Sequence, residues 1–208
     1  MTSKRSLARR TAAVAASAAA ALVLAACGGN GDSSAGHDGH SKESPSASAS
    51  ATQGQRNAAD VAFAKGMIPH HRQAVEMADL APSRAGSTEV KKLAEQIKKA
   101  QDPEIKALSG WLTSWGEDVP TEGGMDHSEH GMSGMMTAEE MDKLKDSSGK
   151  AFDNAFMEMM IKHHEGAVSM AETEKADGSY EPAKKMADAI ITSQTAEITQ
   201  MNELLGKN

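Results

Sequence analysis

From Asn57 onward, apolar residues recur at intervals of three and four, the spacing of one face of an α-helix. The first such run spans about Asn57 to Ala81, with Pro82 and Gly86 as its expected stop. A second runs from Ser87 to Trp115 along the stripe Val90, Leu93, Ile97, Ile105, Leu108 and Leu112. A short helix is expected over Ala138–Lys145, because Thr137 and Glu140 have the spacing of a capping box. Two more follow at about Ser148–Ala176 and Tyr180–Leu205, with Gly206 as a stop. The alternation expected of strands is nearly absent. Pro69 and Pro103 lie inside helical runs, where each removes a backbone hydrogen bond, so kinks are expected there.

The pattern is written twice. Residues 60–112 align with 153–205 at a constant offset of 93 without a gap, and 19 of the 53 positions are identical. Each copy reads as a helical hairpin, so the chain from 57 to 208 is expected to form an all-α four-helix bundle. Repeat one would be 57–116, a linker 117–136 and repeat two 137–208. Equivalent faces of the two hairpins would meet at the centre.

The first 56 residues follow different rules. Lys4, Arg5, Arg9 and Arg10 precede an Ala-, Val- and Leu-rich run ending at Ala26, the layout of a secretory signal. Leu24-Ala25-Ala26-Cys27-Gly28 resembles a bacterial lipobox, which makes Cys27 the expected lipidated residue. The chain would then be anchored to the outer face of the cytoplasmic membrane. Residues 27–56 are Gly-, Ser- and Ala-rich and poor in large apolar side chains, a composition expected of a disordered tether. His37 and His40 lie in it as candidate auxiliary ligands.

Charge and composition narrow the chemistry. The net charge is −7, and cleavage before Cys27 would remove four positive charges and no acid, leaving −11. Such a surface argues against a nucleic-acid partner. One Cys excludes an intramolecular disulfide and a Cys-built metal cluster. What stands out among 208 residues is 14 Met and 8 His against 3% aromatic content. Thioether and imidazole are soft-to-borderline metal ligands, although Met also fills cores. Met141, Met157, Met159, Met186 and Met201 read as such packing residues.

The His residues concentrate on one stripe. At about 100° per residue, Asp60, Phe63, Met67, His70, His71, Ala74 and Met77 share an arc of roughly 120°. Asp153, Phe156, Met160, His163, His164, Ala167 and Met170 repeat it. Buried imidazole pairs need several hydrogen-bond partners, so they read as metal ligands or as satisfied core histidines. The ligand reading takes Met67, His70, His71, Met160, His163 and His164 as the central set. Met77, Met170, Asp60, Asp153, Glu104 and Glu197 are secondary candidates. Gln101 and Gln194 stand three residues before the two glutamates and would share their faces. Met one turn before His, without a Glu-x-x-His motif, favours copper over zinc or di-iron, with another transition metal as the fallback. The linker carries Met125, His127, His130, Met132, Met135 and Met136 in a Gly-rich stretch too polar to form a core. It reads as an auxiliary metal-collecting loop.

Phe63-x-x-x-Met67-Ile68-Pro69-His70-His71 with Ala74 and Met77-Ala78 resembles the signature of domain-of-unknown-function family 305. So do Phe152-Asp153-x-x-Phe156 with Met160-Ile161-x-His163-His164-Glu165-Gly166-Ala167-Val168, and Gln101-x-x-Glu104-Ile105 with Trp111-Leu112. The resemblance covers about 57–206 and implies a ferritin-like fold in a secreted or lipid-anchored protein. Copy two departs from it with Leu204-Leu205 in place of Trp111-Leu112. Some members of the family are linked to copper binding. The expectation is a copper-binding lipoprotein that sequesters the ion or passes it to a copper-handling partner protein, without catalysis. The alternatives are a ferritin-like oxidase acting on Cu(I), with Asp60, Glu104, Asp153 and Glu197 converging on the histidines, and a structural or signalling module.

Overall fold

A computed structural model describes residues 56–121 and 133–207. Five helices follow in order: α1 (Ala58–Arg84), α2 (Thr88–Trp115), α3 (Ala138–Asp146), α4 (Gly149–Asp177) and α5 (Glu181–Leu204). α1 packs along α2 and α4 along α5, and the two hairpins join where α1 lies against α4. Short α3 leans on α1 and α4. The fold is the all-α arrangement of two duplicated hairpins that the spacing implies.

Local chemistry sets the helix ends. Asn57 and Asp60 form a capping box on α1, and Thr137 and Glu140 form one on α3. The Ser87 hydroxyl accepts from the Val90 N–H at the start of α2. Gly116 ends that helix at φ 72°, a left-handed turn that suits glycine. Gly206 follows α5 at φ 70°. Pro82 is not a stop: α1 runs through it to Arg84 and ends only where Ala85 turns extended. Helices also continue through Pro69 and Pro103. The packed face of each long helix outweighs the one backbone hydrogen bond that a proline deletes.

The core divides into two apolar clusters. One gathers Phe63, Ala64, Met67 and Ile68 of α1 with Leu108, Leu112 and Trp115 of α2, Ala167 and Ala171 of α4, and Ala183, Ala187 and Ile190 of α5. The other joins the far end of α1, from Ala74 to Ala81, to the near end of α2 and the first half of α4, including Phe152, Phe156 and Met160. Leu144 and Met141 of α3 close it. The first half of α1 thus packs with the second half of α4, so the two helices run antiparallel. Between the clusters, at mid-height, lies a group of buried polar residues: His70, His71, Gln101, His163, His164 and Gln194.

The two hairpins are tied together at both ends by equivalent carboxylates. Asp60 Oδ1 accepts from the backbone N–H groups of Ser179 (3.0 Å) and Tyr180 (2.9 Å) in the α4–α5 turn. Asp153 accepts from Gly86 (3.0 Å) and Ser87 (2.9 Å) in the α1–α2 turn. Burial works against the Asp60 charge, but the hydrogen bonds it accepts outweigh burial and hold its pKa below the ordinary value. Each hairpin therefore supplies the acceptor that satisfies the turn of the other.

One end breaks the symmetry. Glu174 of α4 is buried beside Asp60, where repeat one has Ala81. Its carboxyl lies over Gly178, where a Cβ would collide with it. Burial first, and the Asp60 carboxylate second, push the Glu174 pKa up to about 8, with the Lys184 charge opposing. The folded state therefore keeps a proton that the unfolded chain releases above its ordinary value of 4.5. Stability from this group is intact below pH 4.5, falls as pH rises and is lost above about 8. Thermal melts of wild type and Glu174→Gln across that window should diverge, the wild type losing ground steadily with pH. Parallel profiles would remove Glu174 as the titrating group.

Candidate metal centre

The middle layer is built by two helices, α1 and α4, that each carry a pair of adjacent histidines. The His70 and His163 rings meet across the α1–α4 contact, with centroids 3.8 Å apart and planes tilted by 44°. The second histidine of each pair turns toward its own hairpin partner. His71 Nε2 lies 2.8 Å from Glu104 Oε2 of α2, and His164 Nε2 lies 2.7 Å from Glu197 Oε2 of α5. The repeat offset of 93 relates the two pairs residue for residue. Glu104 and Glu197 are half-buried, so each imidazole–carboxylate pair has an outer edge toward solvent.

These contacts fix how the rings can act. A carboxylate only accepts, so it holds the proton of His71 and of His164 on Nε2. The Ser133 carbonyl does the same for His70, 3.2 Å from its Nε2. In the neutral form of each of these rings the lone pair is then on Nδ1, which is buried. Nδ1 of His70, His71, His163 and His164, together with Nε2 of His163, have no hydrogen-bond partner among the described residues. The Gln101 amide and the Gln194 carbonyl oxygen are unpartnered in the same way. Burial, reinforced by the neighbouring His71, pushes the His70 pKa down to about 3 against the pull of the Ser133 carbonyl. Burial and the other three histidines push His163 well below its ordinary value. Both central rings are neutral at physiological pH, the form in which imidazole is a ligand.

An unsatisfied buried polar atom costs about 1–3 kcal/mol. A layer with this many is expensive as pure core and fitting as a donor set. The thioethers of Met67 and Met160, each one turn before its His pair, are fully buried in the clusters flanking the layer. The donors are gathered rather than arranged. Among the described residues no group of three or more His, Cys, Asp or Glu side chains is already set around one ion position.

Other candidates fall elsewhere. Asp60 and Asp153 lie ten residues from the first histidine of their copy, about 15 Å along the helix, and bond turn N–H groups instead. They tie the hairpins together and do not reach the histidines. Glu104 and Glu197 stand behind imidazoles rather than beside them as free carboxylates. Met77 packs two turns beyond His70 in one cluster, and Met170 lies half-buried against the other. Met136 is a core residue and Met135 is half-buried, so these two linker methionines pack against the bundle. Met125, His127, His130, Met132, Cys27, His37 and His40 lie outside the described residues. Sequence reasoning missed Gln73, whose amide exchanges two hydrogen bonds with the Met136 backbone. The available signal was its mismatch with Gly166 at the equivalent repeat position.

The class is therefore an all-helical protein of two duplicated hairpins enclosing a histidine layer. Residues 60–205 match the family described as Domain of unknown function (DUF305), and the chain belongs to that family. A crystal structure of a family member from Streptomyces coelicolor, described as a secreted protein, is similar, with 35% identity and a TM-score of 0.65 over 72% of this chain and 93% of that one. A fragment of a member from Deinococcus radiodurans shows 26% identity and a TM-score of 0.65, covering 74% and 99%. CopM in its Cu(II)-bound form shows 39% identity and a TM-score of 0.62, covering 70% and 94%. CopM is also known in Cu(I)-bound, silver-bound and apo forms. Comparison with curated proteins gives no match.

The hydrogen bonds dictate tautomers that can be read directly. Long-range 1H–15N spectra of the metal-free protein should show His71 and His164 protonated at Nε2, with Nδ1 bare. Protonation at Nδ1 in either ring would undo the Nδ1 donor set.

Proposed function

We propose that this chain is an extracytoplasmic copper-binding lipoprotein that sequesters the ion or hands it to a copper-handling partner, without catalysing a reaction on it. The observation that carries the reading is the layer of buried imidazoles in which, among the described residues, every Nδ1 and the Nε2 of His163 lack a hydrogen-bond partner. His70, His71, His163 and His164 would supply nitrogen donors, and Met67 and Met160 the sulfur that favours Cu(I). Glu104 and Glu197 would orient the outer rings and raise their basicity, as carboxylates behind metal-bound histidines commonly do. The copper- and silver-bound forms of CopM support the choice of ion. The description of the Streptomyces relative as secreted supports export.

The oxidase alternative requires carboxylates free to join the histidines. Asp60 and Asp153 bond backbone, and Glu104 and Glu197 bond imidazole, which favours binding over turnover. Oxygen uptake on adding Cu(I) to the protein would reverse that preference. Cys27 is the proposed anchor. Cys27→Ala should move the protein from the membrane fraction to the soluble one, and an unlipidated mature wild-type N-terminus would rule the anchor out.

Anaerobic competition titration should give at least one tight Cu(I) equivalent for the wild type. Removing two imidazoles in His70→Ala/His163→Ala should weaken it by two or more orders of magnitude, at roughly 1.4 kcal/mol per factor of ten. Affinity equal to wild type would refute the central site.

A further inference from the structure

The segment Ser133–Met136 crosses the bundle where α1 meets α4, directly over the histidine layer. Its backbone lies unusually close to α4. Gly134 has φ 86°, and a Cβ there would stand 2.6 Å from the Lys162 carbonyl oxygen and 3.1 Å from that of His163. A Cβ at Gly166 would collide with the Ser133 carbonyl. The same carbonyl accepts from His70 Nε2. On the α1 side, Gln73 binds the segment with both ends of its amide: Nε2 donates to the Met136 carbonyl at 2.8 Å, and Oε1 accepts from the Met136 N–H at 2.7 Å. Both of those bonds are buried, and the Met136 side chain is sunk in the core beneath them.

The two fixing points are one position in the repeat. Gln73 stands three residues after His70, and Gly166 three residues after His163. Where repeat one has a long amide that grips the segment, repeat two has no side chain and lets the segment lie against the helix. Ser133 is exposed, while His70 beneath it has no exposed surface. Among the described residues, exposed Ser133 thus lies against the buried His70 ring on this side.

We propose that Ser133–Met136 is a strap closing one mouth of the histidine layer, latched by Gln73 and seated on Gly166, and that lifting it sets the rate at which an ion enters and leaves. The claim rests on the copper-binding reading for its purpose, but its barrier function is separate and can be measured without metal. Gln73 and Gly166 are positioning residues under this proposal and touch no ion.

The test uses the full chain with Gln73→Leu, which deletes both latch bonds at similar size, and Gly166→Ala, which sets a methyl against the seated carbonyl. Melting temperature reports whether each variant folds, and the two act from opposite helices, so one suffices. In metal-free protein, diethyl pyrocarbonate should modify the His70 and His163 peptides about tenfold faster than in wild type, as loss of two hydrogen bonds implies. Hydrogen exchange at the Met136 amide should quicken in parallel. With Ag(I) bound, release to a chelator should also be about tenfold faster, while the equilibrium affinity shifts far less because entry quickens too. Faster Met136 exchange with wild-type modification rates would overturn the barrier, and unchanged Met136 exchange in Gln73→Leu would overturn the latch. A wild type that takes up neither silver nor copper would refute the proposed function, with the modification rates still deciding the strap.

Discussion

Four imidazoles are buried where two long helices cross, and the described residues around them do not satisfy every ring nitrogen. That shortfall organises the rest of the molecule. Each ring carries two nitrogens, and the crossing offers one carboxylate to His71, one to His164 and one carbonyl to His70. Apolar residues cannot fill the mid-height layer, so the core separates into a cluster on either side of it. Those clusters must bear the folding free energy, at roughly 1.5–3 kcal/mol for each large side chain fully buried. Phe152, Phe156, Leu93, Leu108 and Leu112 are large contributors of that kind. The polar layer survives because the hydrophobic ends on both sides hold it shut.

Much of this was legible in the residue pattern. Periodicity located every helix to within a few residues, because each long helix buries one continuous face. The repeat at an offset of 93 implied that equivalent faces would meet, and His70 against His163 is that meeting. Pro82 misled because a proline in the last turn of a packed helix costs only one bond, which burial of Met77, Ala78 and Ala81 outweighs. The destinations of the acids were harder to read. Helical phase puts Asp60 on the histidine face, but phase says nothing of height, and at its height the nearest unsatisfied groups are the N–H groups of another hairpin's turn. Met136 misled for a related reason. A Gly-rich linker has no core of its own, yet its last residues reach the core of the bundle.

Duplication explains the plan, and the departures from it explain the individuality. Gln73 against Gly166, and Ala81 against Glu174, occupy equivalent positions with unlike chemistry. The first pair holds a strap from both sides. The second places an acid beside Asp60 at one end of the bundle, with only a methyl at the other end. A strictly symmetric molecule would have two alike mouths and two alike ends. This one has a single strap among the described residues and, at one end, a buried acid whose pKa is pushed up.

The reciprocal carboxylates act as end stops. Asp60 holds the top of one hairpin against the turn of the other, and Asp153 does the same at the bottom. Each sits about 15 Å from the histidine of its own helix. A rod pinned at one end can still slide and tilt at its middle, whereas a pair pinned at both ends cannot. A slip of one helical residue along the α1–α4 contact would shift the rings by about 1.5 Å, enough to misplace a donor. The alignment of the two central imidazoles is therefore set by groups that never approach them, and the middle of the molecule inherits its accuracy from its extremities.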